Sequence, residues 1–292
     1  MTEGRVGALG AALALAALGI AQGAIPVLVR ADAPATHLVA GRVTIAAVFL
    51  LLFSAATRNL RIPRLRRGRV VILGLLLTAH WLTFFLAIKL TTVAVALAVL
   101  YLGPVAAALL SAPVLGEHVR RGTKFGLGFA LIGTLIVVRP GAGATTGGVI
   151  AALISAVLLV GLMLIGKPAA RDLGGLTLAT WQLPVAAIVL LPFTVQAGRQ
   201  STEFWPEFLV LGALFTGVAG VVYWGALRRL PVAVVSVIMY LEPVSAVVWA
   251  AALLGETPAP VTWLGVGLVV AGGTIAALEA TDEEAIGAPA AL

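Results

Sequence analysis

Ionisable side chains inside long apolar stretches are where this chain could do chemistry, because a charge at membrane depth costs several kcal/mol unless it is paired or wetted. Three residues meet that description: Arg42, His80 and Glu242. His80 falls about ten residues, or ~15 Å of helix, into its apolar run and close to the middle of a bilayer. Trp81 follows it and Phe84 lies one turn on. A histidine there can line a solute cavity or move a proton; the plainer alternative is a hydrogen bond to a neighbouring helix. Glu242 is equally deep and precedes Pro243. On a regular helix Tyr240 points about 200° away from Glu242, so the two share a cavity only where Pro243 distorts the backbone. Glu242 shares its side with Met239, Ser245 and Trp249, and either faces a wet space or bonds another helix as a structural carboxyl. Arg42, about a turn and a half inside its run, either snorkels to the outer interface or meets a substrate carboxylate. Tyr101, Tyr240, Trp81, Trp181 and Gln22 complete the candidate substrate-binding set with His80 and Glu242. Gln182, Tyr223 and Trp224 read as packing or interface residues.

Other chemistries lack their parts. The chain has no cysteine, hence no disulfide, thiolate nucleophile or cysteine metal ligand. Gly161-x-x-x-x-Gly166-Lys167 imitates a phosphate loop, but Pro168 stands where the magnesium-binding hydroxyl belongs. Gly141-Ala-Gly143 reads as a linker, not a dinucleotide fingerprint. With no paired acidic motif, metal-ligand helix or nucleophile elbow, neither an enzyme nor a bound cofactor or metal is expected.

The elements that must position these residues are membrane helices. Of 292 residues, 61% are hydrophobic and 11% charged, and the mean hydropathy is +1.11, too apolar for an ordinary soluble domain. Apolar runs long enough for a ~30 Å hydrocarbon layer follow one another. They fall at 6–29, 36–56, 70–88, 92–114, 123–138, 147–166, 175–195, 207–227, 232–254 and 260–278. The expected fold class is an all-α membrane protein of ten transmembrane helices.

The chain also contains one module twice. Tyr101-Leu-Gly-Pro104-Val recurs as Tyr240-Leu-Glu-Pro243-Val, and Leu115-Gly116-Glu117 recurs as Leu254-Gly255-Glu256. At a fixed offset of 139, residues 93–136 match their counterparts at 17 of 44 positions without a gap. The organisation expected is a first five-helix repeat over 1–140, a linker at 141–148, a second repeat over 149–279 and a disordered acidic tail at 280–292. An odd number of spans per repeat makes the second copy inverted, an arrangement typical of secondary transporters. Pro104 and Pro243 each remove a mid-helix hydrogen bond and serve as paired hinges, unless membrane helices simply tolerate them. Gly116-Glu117 and Gly255-Glu256 read as helix stops without chemistry. Gly126, Gly128 and Gly133, with Gly265, Gly267 and Gly272, give small faces for close helix contact, within a monomer or between copies.

The net charge of +7 reflects topology rather than nucleic acid. Fourteen of the 19 Lys and Arg residues fall on one side, including Arg5, the six arginines of 58–69, Lys167, Arg171, Arg228 and Arg229. The other side receives Arg30, Arg42, Lys89, Arg139 and Arg199. Both termini are therefore expected in the cytoplasm, in the cell (inner) membrane. The arginines of 58–69 anchor topology, with anionic headgroups as the alternative partner.

The run Ala87-Ile88-Lys89 to Val93-Ala94, the Tyr101-Leu-Gly-Pro104 and Gly116-Glu117 motifs, and their second copies at Leu241-Glu242-Pro243 and Gly255-Glu256 resemble the EamA family of the drug/metabolite transporter superfamily. Arg42 near the start of the second helix fits the same pattern. The resemblance covers nearly the whole chain. It implies ten helices around a central cavity and export, without ATP, of amino acids, related metabolites or drugs. His80-Trp81 is most similar to the aromatic amino-acid exporters. Gln22 and Met163 depart from that type, standing where aromatic residues are expected. The Glu of Leu241-Glu242-Pro243 is common in the family, which favours a structural role. The function expected is export of neutral or aromatic amino acids and similar small-molecule substrates across the lipid bilayer by alternating access. A proton-coupled multidrug exporter and a non-transporting scaffold are the alternatives.

Overall fold

A computed structural model describes residues 2–25, 35–60, 66–139, 144–200, 208–255 and 257–286. Among the described residues the regular structure is helical and no strand occurs. In chain order the elements are α1 (Thr2–Gln22), α2 (Ala35–Ala56), α3 (Arg67–Leu90), α4 (Val93–Leu100), α5 (Leu102–Leu115), α6 (Arg121–Val138), α7 (Thr146–Leu173), α8 (Gly175–Val189) and α9 (Leu191–Gln200). A π-helical segment (Val210–Val218) then leads into α10 (Ala219–Arg229), followed by α11 (Val232–Met239), α12 (Leu241–Leu254) and α13 (Pro260–Ile286).

Among the described residues, eight helical stretches are long and apolar enough to cross a membrane, with α4–α5, the π segment with α10, and α11–α12 each counting as one. The first and seventh runs of the sequence fall short of the ten crossings expected. Their apolar helices cover only Gly7–Gln22 and Gly175–Val189. The first run continues into residues 26–29, outside the described residues, and the seventh is divided at Leu190, where Pro192 lacks an amide N–H to continue the ladder. Of the proposed linker, residues 141–143 lie outside the described residues, and a helix starts at Thr146, capped by the Thr145 hydroxyl accepting from Gly148 N–H at 3.1 Å. The last helix runs on to Ile286, so helical backbone extends into the stretch read as a tail. Its Ala and Glu residues favour helix. Residues 287–292 lie outside the described residues, as do Arg30 and Glu256.

The exterior is apolar: Ile188 is 71% exposed and Val157 69%, side chains that only a hydrocarbon solvent accepts in such number. Inside, polar side chains are consumed by links between helices. The Ser54 and Thr180 hydroxyls lie 2.8 Å apart. Gln182 donates to Leu73 O at 3.0 Å while its carbonyl accepts from Trp224 Nε1 at 2.8 Å, tying α8 to α3 and α10.

α6 and α13 pack closely and antiparallel. A Cβ added at Gly126 would lie 2.6 Å from Gly272 O, and one at Gly133 would lie 2.5 Å from Gly265 O. Only hydrogen fits there, so the glycine stripes act within one chain. Gly128 and Gly267 have nothing within 4 Å. The contacts 126–272 and 133–265 exchange under the 139-residue offset. At one end of this pair Glu279 accepts from the Gly122 and Thr123 amides at 3.0 and 2.5 Å. The arginine-rich end of the bundle is fastened in the same way, with Asp172 meeting Arg66 at 2.6 Å and Arg69 at 3.1 Å.

Candidate functional site

The two helices carrying the repeated motif are both broken, at equivalent residues. Tyr101 (φ −69°, ψ −3°) separates α4 from α5, and Tyr240 (φ −70°, ψ −8°) separates α11 from α12. Pro104 and Pro243 are the third residues of α5 and α12. Having no N–H, they cannot bond back to residues 100 and 239, so the ladder opens there. In the first turn of a new helix the missing donor costs nothing, because first-turn amides have no intrahelical acceptor. The interruption thus falls at the tyrosines, three residues before the prolines. Tyr240 donates its hydroxyl to Tyr101 O at 2.5 Å, and the two rings lie 5.1 Å apart. Both are buried, which makes them a packed contact between the two copies rather than a solute-facing pair.

Two residues beyond Tyr240 the geometry changes. Glu242 is exposed, yet the guanidinium of Arg42, itself half-buried on α2, and the buried Tyr101 both lie within electrostatic reach. An opposite charge and a buried tyrosine thus stand among its neighbours, which lipid does not supply. Arg42 does not snorkel outward. Its guanidinium stands 5.0 Å over the Trp81 ring, a cation–π arrangement, and its buried Nε has no hydrogen-bond partner. The charges of Arg42 and Glu242 attract across a gap, since neither forms a direct ion pair among the described residues. Behind Arg42 the π segment presses close: a Cβ on Gly212 would meet Arg42 O at 2.9 Å. π-helical turns concentrate at functional sites.

His80 is placed differently from the expectation that it lines a cavity. It is 7% exposed, and its Nδ1 lies 2.9 Å from both the carbonyl and the hydroxyl of Ser155. Ser155 returns a hydrogen bond to His80 O at 3.0 Å. The histidine clasps α3 to α7, and its neighbour Trp81 is the half-buried residue that faces Arg42. Ser245 and Trp249, expected on the wet side of Glu242, donate instead to Gly19 O at 3.1 Å and Ile20 O at 2.8 Å on α1. Gln22 ends α1, half-buried. Trp181 is half-buried with an unpartnered Nε1, and Tyr223, ring-to-ring with Trp224 at 5.0 Å, has an unpartnered hydroxyl. Such buried unpaired donors are rare.

One charged cluster has little local signature in the sequence. Glu117, read as a helix stop, sits with Lys167, which is 1% exposed. Gly116 does end α5 in the left-handed region (φ 69°), but the next residue carries a buried ion pair. A lone lysine in the stretch Gly166-Lys167-Pro168 was the available signal.

Comparison with known proteins bears on the family and the fold. A model of the EamA-like transporter family matches the chain twice, over residues 4–139 and 146–278. An uncharacterized transporter, YxxF, of Bacillus subtilis (strain 168) is 25% identical over 209 residues, which make up 68% of this chain and 66% of that protein, just under two thirds of its length. An uncharacterized transporter of Archaeoglobus fulgidus is 27% identical over 197 residues, 66% of this chain and 70% of the relative. A solved crystal structure superposes with a TM-score of 0.79 at 20% identity, covering 93% of this chain and 99% of the other; at that identity the likeness speaks to the fold alone.

Proposed function

Since the chain belongs to the EamA-like transporter family, we propose that it exports neutral or aromatic amino acids and related small metabolites by alternating access. In this reading ten transmembrane helices form two inverted five-helix repeats, 1–140 and 149–279, around a midplane chamber. Both termini face the cytoplasm. The exchange of the Gly126–Gly272 and Gly133–Gly265 contacts under the repeat offset supports the inversion.

The observation that carries the substrate reading is the unpaired couple of Arg42 and Glu242 beside the Trp81 face. A zwitterion fits between such charges: its carboxylate completes the guanidinium, its ammonium neutralises the glutamate, and an aromatic or apolar side chain lies on tryptophan. Apolar walls with a few placed polar groups are the usual form of a small-molecule site. His80 holds α3 and α7 in register behind the site, and Pro104 and Pro243 supply the flexible points.

The test is flux into liposomes of labelled phenylalanine, leucine and alanine, each against its amide. The zwitterions should move at least about tenfold faster than the amides, which lack the carboxylate that Arg42 would hold. Equal rates, or background flux for all, would defeat this reading. The exposed carboxylate of Glu242 favours one second reading, proton-coupled export of drug cations. There cation flux should follow an imposed pH gradient and disappear in Glu242→Gln.

A further inference from the structure

The repeat makes the two ends of the broken helices comparable. Under the 139-residue offset α4 corresponds to α11 and α5 to α12, so packing of α5 on α11 has α4 on α12 as its equivalent. The first contact is made and the second is not: α5 lies along α11, whereas α4 and α12 do not pack closely among the described residues. Burial follows the same asymmetry. Val232 to Ile238 of α11 are all buried, whereas in α4 Val93 is 54% exposed and only Val95, Ala96 and Ala98 are buried.

At the end of the α5–α11 seam stands the buried cluster that no function has yet absorbed. Glu117, in the turn after α5, forms an ion pair through Oε1 with Lys167 of α7. Its Oε2 accepts from Val232 N–H at 2.7 Å, capping the first turn of α11. Lys167 Nζ also donates to Leu230 O at 2.5 Å, and Arg171 lies 3.9 Å from the same Oε1. One carboxylate thus joins three segments: the end of α5, the end of α7 and the start of α11.

We infer that Glu117 and Lys167 are the lock of the arginine-rich end, holding the chamber shut there while the opposite end stands open. The inference rests on the alternating-access reading above. α5 and α11 are the arms of the two broken helices that run from Tyr101 and Tyr240 toward that end, so opening it means parting them. An ion pair with a charge-assisted helix cap resists separation because each partner left alone would be a buried, uncompensated charge. Glu117 and Lys167 are positioning residues that touch no solute.

The absence of cysteine gives a clean background for testing this with an equivalent pair of positions, Ala94 and Ala233. Each is replaced by cysteine singly, and reaction with a charged maleimide is timed in nanodiscs, where both faces are accessible. Ala94→Cys should react readily and Ala233→Cys, at a site now 1% exposed, slowly. Adding Glu117→Gln keeps an acceptor for Val232 N–H but removes the charge. It should raise the rate at Ala233→Cys on the order of tenfold and lower the rate at Ala94→Cys. Lys167→Arg, which keeps the pair, should leave both rates near their starting values.

Equal rates at the two positions before any change at Glu117, or an unchanged Ala233→Cys rate in a folded Glu117→Gln protein, would overturn the lock. If Glu117→Gln does not fold, Lys167→Gln is scored by the same two outcomes. Phenylalanine flux of the unlabelled chain separates the two failures. Flux with no labelling response sinks the lock alone; a labelling response without flux of any amino acid sinks the substrate reading alone.

Discussion

The two copies of Tyr-Leu-x-Pro have the same backbone and opposite surroundings. In the first, Gly103 is buried against α7, so close that a Cβ would come 3.1 Å from Ala156 O. In the second, Glu242 occupies the equivalent place and is exposed, with Arg42 within electrostatic reach. Duplication supplied two identical helix breaks, and a single side-chain difference makes one a packing seam and the other a charged wall. In the function proposed above, this break in the symmetry is where the solute would sit.

The comparison breaks most sharply in Gly103→Glu. A carboxylate forced against the Ala156 backbone has neither room nor a partner, and the cost should be several kcal/mol. The expected outcome is loss of the monodisperse peak on size exclusion in detergent; a well-folded Gly103→Glu chain would mean the two sites are interchangeable. Next come the charges of the second copy. Arg42→Gln and Glu242→Gln should each leave the fold intact and reduce zwitterion flux by about ten- to a hundredfold, the equivalent of roughly 1.4–2.8 kcal/mol. Melting temperatures and liposome uptake measured together would show whether the loss is of transport or of structure. The smallest effect belongs to what the copies share. Tyr240→Phe deletes the hydrogen bond to Tyr101 O and should cost about 1 kcal/mol of stability, read as a slightly lower melting temperature.

Much of this arrangement was legible in the sequence because it follows from composition and repetition. Eight of the ten apolar runs coincide with stretches long enough to cross a membrane among the described residues, and the 139-residue offset relates Tyr101 to Tyr240 and one glycine stripe to the other. What could not be read was which partner each polar group finds. His80 looked solute-facing because depth along one helix says nothing of Ser155, 75 residues away on another. Arg42 was placed by its distance from a helix end, yet the direction of its side chain is set by Trp81 and by the π segment behind it, whose i→i+5 bonding leaves no periodic trace. Glu117 and Lys167 read as a turn and a topology charge for the same reason. Their burial comes from three separate segments meeting, and no local pattern encodes it.

The hydroxyl of Tyr240 resting on the carbonyl of Tyr101 has one more implication. Both fractures of the scaffold meet at that point, like the blades of shears at their rivet. In the alternating-access cycle proposed above, this contact would favour paired movement, one mouth closing as the other parts.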